Sequence, residues 1–372
     1  MRIGIPAETR PGETRVAATP ETVRKLAVRH QVQVQAGAGV PASITDEQFA
    51  AAGATIVDAA TAFGAELVLK VRAPTDAERA QMARGATLVG MLNPFDAANN
   101  AAMAQAGLAA FALEAAPRIT RAQSMDVLSS QANIAGYKAV LLAANTYGRF
   151  MPMLMTAAGT VKAARVLIMG VGVAGLQAIA TAKRLGAVIE ASDVRPPVKE
   201  QVESLGAKFL DVPYETDEER EIAKGAGGYA RAMPAGWMAR QAALVHERAK
   251  LADIIITTAL IPGRPAPVLI SEATVQAMKP GSVIVDMAVE QGGNCPLSEL
   301  DKTVVRHGVH IIGAANLATL VPADASALYA RNVLDFLKLV LDKEGKEGVD
   351  IDRDDEIVKA MLVCFDGAVL RT

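Results

Sequence analysis

Cysteine is nearly absent: Cys295 and Cys364 are the only two in 372 residues, at no spacing that suits a disulfide framework or a metal. Such sparse thiol usage makes the reducing cytoplasm the expected compartment. Histidine is scarce too, with four residues. His30, His246, His307 and His310 form no ligand pattern with cysteines or paired acids, so no metal site is expected. Aromatic residues make up only 4% of the chain. Excess charge is missing too, and a formal net charge of −2 predicts neither nucleic-acid binding nor strong adhesion to anionic lipid. Nothing at the N-terminus resembles a signal peptide. One uncharged run, Val166 to Ala182, approaches the length of a membrane span. Its three glycines fit a strand, a turn and a helix instead, and no direct membrane span is expected.

What the chain does have is apolar mass, 51% hydrophobic residues with alanine dominant, which suits helices packed closely on parallel sheets. Its length suits two domains. In the N-terminal part, β-like runs at Arg2–Ile5, Val32–Gln35, Leu67–Val71, Thr87–Val89 and Leu108–Phe111 alternate with amphipathic segments at Pro20–Val28, Asp46–Ala52 and Ala97–Ala106. Thr19 followed by Pro20 reads as a helix start. Ala132 to Tyr147 reads as a long connecting helix. The Met-rich stretch Phe150 to Met155 reads as core or subunit interface.

Six further strands follow, at Val166–Met169, Val188–Ala191, Lys208–Leu210, Ile254–Thr257, Ser282–Asp286 and His310–Ile312. The charged run Glu215 to Lys224 reads as a solvated helix face. The segment from Gly225 to Trp237, rich in glycine, reads as a mobile loop over a site, or as an ordinary surface loop. A helical pattern from Asp324 to Leu341 is long enough to return to the first domain. The expected fold class is α/β: two Rossmann-like, doubly wound parallel-sheet domains. The first is discontinuous, residues 1–128 with 315–372, and the second spans residues 129–314.

The densest motif runs from Arg165 to Arg195. Gly170-Val171-Gly172-Val173-Ala174-Gly175 follows an apolar strand, opens a helix, and meets Asp193 at the end of the next strand, the full context of a dinucleotide site. Gly170 allows the tight turn, Gly172 the approach of backbone to pyrophosphate, and Gly175 close helix–strand packing. Asp193 is the acid expected to receive the adenosine ribose hydroxyls and to repel a 2′-phosphate, which favours NAD(H). Arg195, two residues later, is the type that would welcome that phosphate.

A second cluster spans Pro117 to Gln131. Arg118 offers a fork of donors, Gln123 donates and accepts, and Asp126 and Ser129 share one helix face at a spacing of three. The set suits a clamp on a nicotinamide carboxamide and its ribose, or simple helix capping by Asp126 and Ser129. No histidine falls in this cluster, in the glycine turn or in the loop, and Lys70 is the one remaining proton-handling candidate. A cofactor site without an acid–base pair suits hydride exchange with another nicotinamide.

At these residues the chain resembles the soluble NAD(H)-binding domain I of proton-translocating nicotinamide nucleotide transhydrogenase, within the alanine dehydrogenase/transhydrogenase superfamily. The likeness runs through Ile3-Gly4-Ile5-Pro6, Glu8 to Ala17, the Arg-Ala-Gln-Ser-Met-Asp-x-Leu-Ser-Ser-Gln run, the glycine motif, Thr257 to Gly263 and Glu290 to Leu297. The resemblance implies an α-subunit component that presents NADH for direct, Si/Re-specific hydride transfer to NADP+ held by a partner component. Proton translocation would be coupled through a transmembrane component. It implies a homodimer, with the 150–164 segment at the contact, attached through its partners to the cytoplasmic face of a bacterial inner membrane.

Carried over by the resemblance, Arg118, Gln123, Asp126, Ser129 and Tyr229 are the catalytic set, with Gln123 aligning the two rings. Arg118, Ile119, Thr120 and Gln123 would contact the cofactor, as would Gly170, Gly172, Val173, Ala174 and Gly175. Ser192, Asp193 and Val194 would hold the ribose end, Gly228 belongs to the closing loop, and Leu260 lies near the adenine. The alternative is a stand-alone NAD-dependent alanine-type dehydrogenase, in which Lys70 would bind substrate and a histidine would move the proton. The stretch expected to hold that histidine reads Val89-Gly90-Met91-Leu92-Asn93-Pro94.

Overall fold

The computed structural model describes residues 1–223, 233–261, 263–341 and 348–371. Two compact units divide the chain, one built from Met1–Gln131 and Ala318–Thr372, the other from Ala132–Leu317.

The first unit holds an eight-stranded sheet in the order Ala368–Val369, Leu362–Phe365, Ala109–Ala112, Thr87–Met91, Leu67–Arg72, Arg2–Ile5, Gln31–Gln35, Thr55–Val57. All neighbours run parallel except the two pairs made by Leu362–Phe365. The second unit holds seven strands in the order Lys208–Phe209, Val188–Ser192, Arg165–Met169, Ile254–Thr257, Val283–Asp286, Val309–Gly313, Lys302–Arg306, with only the last antiparallel. In each unit the parallel strands follow the doubly wound order 3-2-1-4-5-6, and the order reverses between the first and fourth strands. Ligands of such sheets bind at that reversal, beyond the carboxyl ends of the strands. The fold class is therefore the expected one, and the reversal points mark where to look for chemistry.

Apolar strand runs such as Leu67–Leu69 and Ile254–Ile256 are buried throughout, as parallel strands covered on both faces must be. The helix Pro322–Val340 completes the first unit. Its Tyr329, Val333, Phe336, Leu337 and Val340 join Ile3, Ile5, Leu69 and Phe111 in one core cluster, with Phe111 and Phe336 ring centroids 5.1 Å apart.

Several elements differ from the sequence reading. The helix expected from Ala132 starts at Val127 and runs to Thr146, because Asp126 caps it. Strands Thr55–Val57, Lys302–Arg306, Leu362–Phe365 and Ala368–Val369 were not anticipated. Lys302–Arg306 is a solvated edge strand with no apolar run to announce it. The Met-rich stretch is not core. Met151 is buried, but Phe150, Met153 and Met155 are exposed, the last by 80%, beside a separate hairpin of Leu154–Thr156 and Gly159–Val161. Nor is the charged face wholly solvated: Glu219 on the helix Asp217–Ala223 is buried and pairs with Arg240 at 2.7 Å. Of the expected mobile loop, residues 224–232 lie outside the described residues. Trp237 belongs to the packed helix Ala235–Ala249 and stacks on Tyr214 with centroids 6.3 Å apart. Among the described residues no helix is long and apolar enough to cross a membrane.

Candidate functional site

The candidate residues divide between the units. The glycine motif, Ser192, Asp193, Val194 and Leu260 belong to the second; Arg118, Ile119, Thr120, Gln123, Asp126 and Ser129 belong to the first. Gly228 and Tyr229 lie outside the described residues.

In the second unit the strand Arg165–Met169 ends at Gly170, whose φ of +91° lies in the left-handed region that favours glycine. Gly172 starts the twelve-residue helix Val173–Arg184 and brings no side-chain cap. Gly175 packs against the turn it follows: a Cβ there would stand 2.0 Å from the Gly170 carbonyl oxygen. A Cβ on Gly136 would stand 2.1 Å from the Ala174 carbonyl oxygen. Two backbone-on-backbone approaches thus clamp the start of the helix. At Gly172, by contrast, a Cβ would meet nothing within 4 Å. A helix start with orphan N–H groups beside open space is suited to an anion, because those groups and the macrodipole favour negative charge.

The far side of the turn is held by residues distant in sequence. Thr258 donates its backbone N–H to Met169 (2.8 Å) and its hydroxyl to the Gly170 carbonyl (2.9 Å). Fully buried Asn294 accepts from the Ala259 N–H (3.1 Å) and donates to the Ala259 carbonyl (2.9 Å). Fully buried Asp286 accepts from the N–H groups of Ala288, Asn294 and Cys295 and from the Ser298 hydroxyl (2.7 Å). Leu260 follows this braced turn and is exposed. Ser192 is buried at its strand end, and Val194 packs beside Val212 and Trp237. Asp193 is not a bare carboxylate: it accepts the Val171 N–H at 2.7 Å and pairs with Arg195 at 2.9 Å.

In the first unit, residues Thr120–Met125 form a single 3-10 segment. Ala122 and Met125 anchor it in the core, which leaves Arg118, Thr120 and Gln123 exposed and Ile119 half-buried. Asp126 and Ser129 do cap the helix: Ser129 donates its N–H to Asp126 Oδ1 (2.9 Å) and its hydroxyl to Oδ2 (2.6 Å). Asn332 ties the segment to the returning helix through the Ser124 carbonyl (2.7 Å) and the Ser130 hydroxyl (2.7 Å).

The reversal point of the first sheet is filled by the chain's own charges. Lys70 is 1% exposed and sits 3.3 Å from Glu8 and 3.0 Å from Glu78. Glu78 is placed by a capping box with Thr75. Burial pushes the Glu8 carboxyl above its ordinary range. Arg15 is buried in a fork on Glu13 and donates to Gln131 at 2.8 Å. Lys70 is therefore no exposed proton donor, a correction that the sequence did not foreshadow because Glu78 reaches it across eight residues and Glu8 across sixty-two. Within the stretch Val89–Pro94, where the alternative reading needs a histidine, Asn93 has a φ of +55° and donates its N–H to Glu114 at 2.6 Å, with Leu92 donating at 3.0 Å. Burial pushes the Glu114 carboxyl up to about 7.

The enclosed Lys70 and the glycine turn fall in the two segments of the chain that match one family. Residues 4–135 match the alanine dehydrogenase/PNT N-terminal domain, and residues 139–372 match the C-terminal domain. The chain belongs to the alanine dehydrogenase/PNT family. It is 53% identical to an NAD(P) transhydrogenase subunit alpha protein of Rhodospirillum rubrum, over 100% of this chain and 98% of that protein. It is 30% identical to alanine dehydrogenase of Mycolicibacterium smegmatis, over 92% and 88%. Among solved structures, a transhydrogenase from Sinorhizobium meliloti matches with a TM-score of 0.89 and 47% identity, covering 99% of this chain and 100% of that one. Relatives named for two activities, transhydrogenase and alanine dehydrogenase, thus share this family.

Sequence reasoning missed Asp286, Asn294 and Glu114 as site-building residues. The Glu290 to Leu297 motif was visible, but its role depends on hydrogen bonds to Ala259, 35 residues away. The glycine geometry makes a direct prediction for this family member. Gly175→Ala destabilises the chain by about 1–3 kcal/mol or more through overpacking. Gly172→Ala stays within about 0.5 kcal/mol of wild type, both read by denaturant unfolding. A second prediction concerns Glu114. Its folded value, about 7, lies above the ordinary 4.5, so the stability it contributes is complete below 4.5 and is lost as pH rises through 7. Unfolding midpoints across pH 4.5 to 8 should therefore show wild type losing ground to Glu114→Gln as pH rises.

Proposed function

We propose that this chain is the NAD(H)-holding component of a transhydrogenase, presenting the reduced nicotinamide to NADP+ held by a separate component. The observation that carries the reading is the full-length likeness to a transhydrogenase α-subunit protein, taken together with the state of Lys70. A lysine sealed between two carboxylates is not available to a substrate carboxylate or carbonyl. With no histidine in Val89–Pro94, the amino-acid oxidation alternative lacks both its anchor and its proton carrier.

The glycine turn fits the cofactor's pyrophosphate. The open space at Gly172 is the room a phosphate needs, and the first N–H groups of the Val173–Arg184 helix, those of Val173 and Ala174 among them, are its donors. NAD(H) supplies a transferable hydride, so the protein need supply no proton. What remains for the chain is orientation. Exposed Arg118 and Gln123 are the donors assigned to the nicotinamide end, with Ile119 and Thr120 beside them. The Asp126–Ser129 pair fixes the backbone that carries them, and Gly228 and Tyr229 are assigned to closure. Holding two rings in near-attack geometry can contribute on the order of 7–11 kcal/mol without acid–base chemistry.

The partners follow from the same reading: an NADP(H)-binding component, a transmembrane component that couples hydride transfer to proton movement, and a second copy of this chain. Location at the cytoplasmic face of the membrane through those partners belongs to the proposal. The exposed Phe150, Met153 and Met155 supply apolar surface for the homodimer contact.

Three measurements test the reading. In the complex assembled with its partners, Gln123→Asn should slow NADH-to-NADP+ transfer about a hundredfold, the scale of a 1 Å misplacement, while NADH affinity changes little. Unchanged transfer overturns the role of Gln123. Gly172→Ala, which folds normally, should weaken NADH binding. Incubation of the chain with NAD+ and alanine should yield no NADH, and substantial formation would favour the dehydrogenase instead.

A further inference from the structure

The strand Val188–Ser192 delivers Asp193 beside the glycine turn, where a dinucleotide domain reads the adenosine ribose. In this chain that carboxylate is already saturated. Its side chain is only 6% exposed. Oδ2 accepts the Val171 N–H at 2.7 Å and Arg195 Nη2 at 2.9 Å, and Oδ1 accepts the Arg195 backbone N–H and Arg195 Nε, both at 2.9 Å. Four donors meet the roughly four acceptor sites that a carboxylate offers. Two of the four are backbone groups, that of Val171 in the glycine turn and that of Arg195 two residues past Asp193. The other two are the guanidinium fork, the portion of the arrangement that a ligand can displace.

Arg195 is held in place by its own chain. Pro196 follows it, which restricts Arg195 to extended backbone. Pro197 then opens the helix Val198–Ser204, and the Val198 N–H reaches back to the Arg195 carbonyl at 3.4 Å. The side chain therefore folds back on Asp193 across a short, stiff span.

We infer that Arg195 is a specificity-determining residue, one that narrows the discrimination between NAD(H) and NADP(H) by masking Asp193. This inference rests on the nucleotide reading above. The ribose diol of NAD(H) reaches the carboxylate only by displacing the fork, so Arg195 competes with the cofactor that Asp193 favours. A 2′-phosphate would be rejected by a bare aspartate, but here the negative charge is neutralised in a bidentate pair. The displaced guanidinium is itself a bidentate phosphate donor. Both effects act in one direction. Arg195 lowers affinity for the diol and raises it for the phosphate, whereas the Val171 leg keeps Asp193 tied to the glycine turn in either case.

The test is equilibrium titration of the whole chain with NADH and with NADPH, for wild type, Arg195→Gln and Arg195→Lys. Arg195→Gln should tighten NADH and weaken NADPH, widening the ratio of the two Kd values about tenfold, or about 1.4 kcal/mol. Arg195→Lys keeps the charge without the fork and should widen it by less. Should Arg195→Gln fail to fold, judged by its thermal transition, the lysine variant decides by the direction of its shift. A ratio that stays put or narrows overturns the assignment to Arg195 and leaves the nucleotide site standing. Failure of wild type to bind either nucleotide overturns both.

Discussion

Two approaches of backbone to a missing side chain govern the second unit. Gly175 lies against the Gly170 carbonyl and Gly136 against the Ala174 carbonyl, each with room for a hydrogen and for nothing larger. The helix Val173–Arg184 is thereby pinned at its start, between the turn that feeds it and a neighbouring helix. Its N–H groups take their direction from that clamp rather than from a capping side chain. Only Gly172 of the motif is free of such contacts, and it is the position assigned to the proposed ligand. The motif therefore contains two kinds of glycine, those the protein needs for its own packing and one it leaves for something else.

The two units share a winding order yet treat the same point of it in opposite ways. At the reversal point of the second sheet the chain presents a helix start, a braced turn from Thr258 to Leu260, and open space. At the reversal point of the first it places Lys70 between Glu8 and Glu78, with Arg15 forked on Glu13 nearby. A buried ion pair costs desolvation that its attraction only roughly offsets, and removal of one partner leaves a buried charge unpaired. Such a cluster is difficult to open for a substrate. One unit thus keeps open space at this point while the other has closed the equivalent place with its own side chains.

Positioning by remote residues recurs through the molecule. Asp286 gathers the backbone of residues 288–295, Asn294 passes that order to Ala259, and Asn332 holds the Ser124 carbonyl from the returning helix. None of these side chains has the exposure to meet a ligand. Their effect is to fix short loops at the carboxyl ends of strands, where small errors in backbone placement carry a large cost in orientation. In the proposed hydride transfer between nicotinamides, such rigidity is most of what the protein would contribute.

The sequence alone determined the architecture. Fully apolar strand runs alternating with helices permit little besides parallel sheets covered on both faces, and the strand–glycine–helix–strand–acid order names a dinucleotide turn because each residue type there answers to a local backbone demand. The Arg118–Gln131 segment and its Asp126–Ser129 cap were legible for the same reason, since their geometry is set within a few residues. Other features depended on tertiary structure. Lys70 became a sealed ion pair through Glu8 and Glu78, Asp193 became masked once Arg195 folded back on it, and the Met-rich stretch became surface instead of core. Strands without an apolar run, such as Lys302–Arg306, took form through pairing with a neighbour. Periodicity records what a residue does along its own strand or helix, but the state of a charge depends on what burial brings beside it. That neighbour can lie sixty residues away.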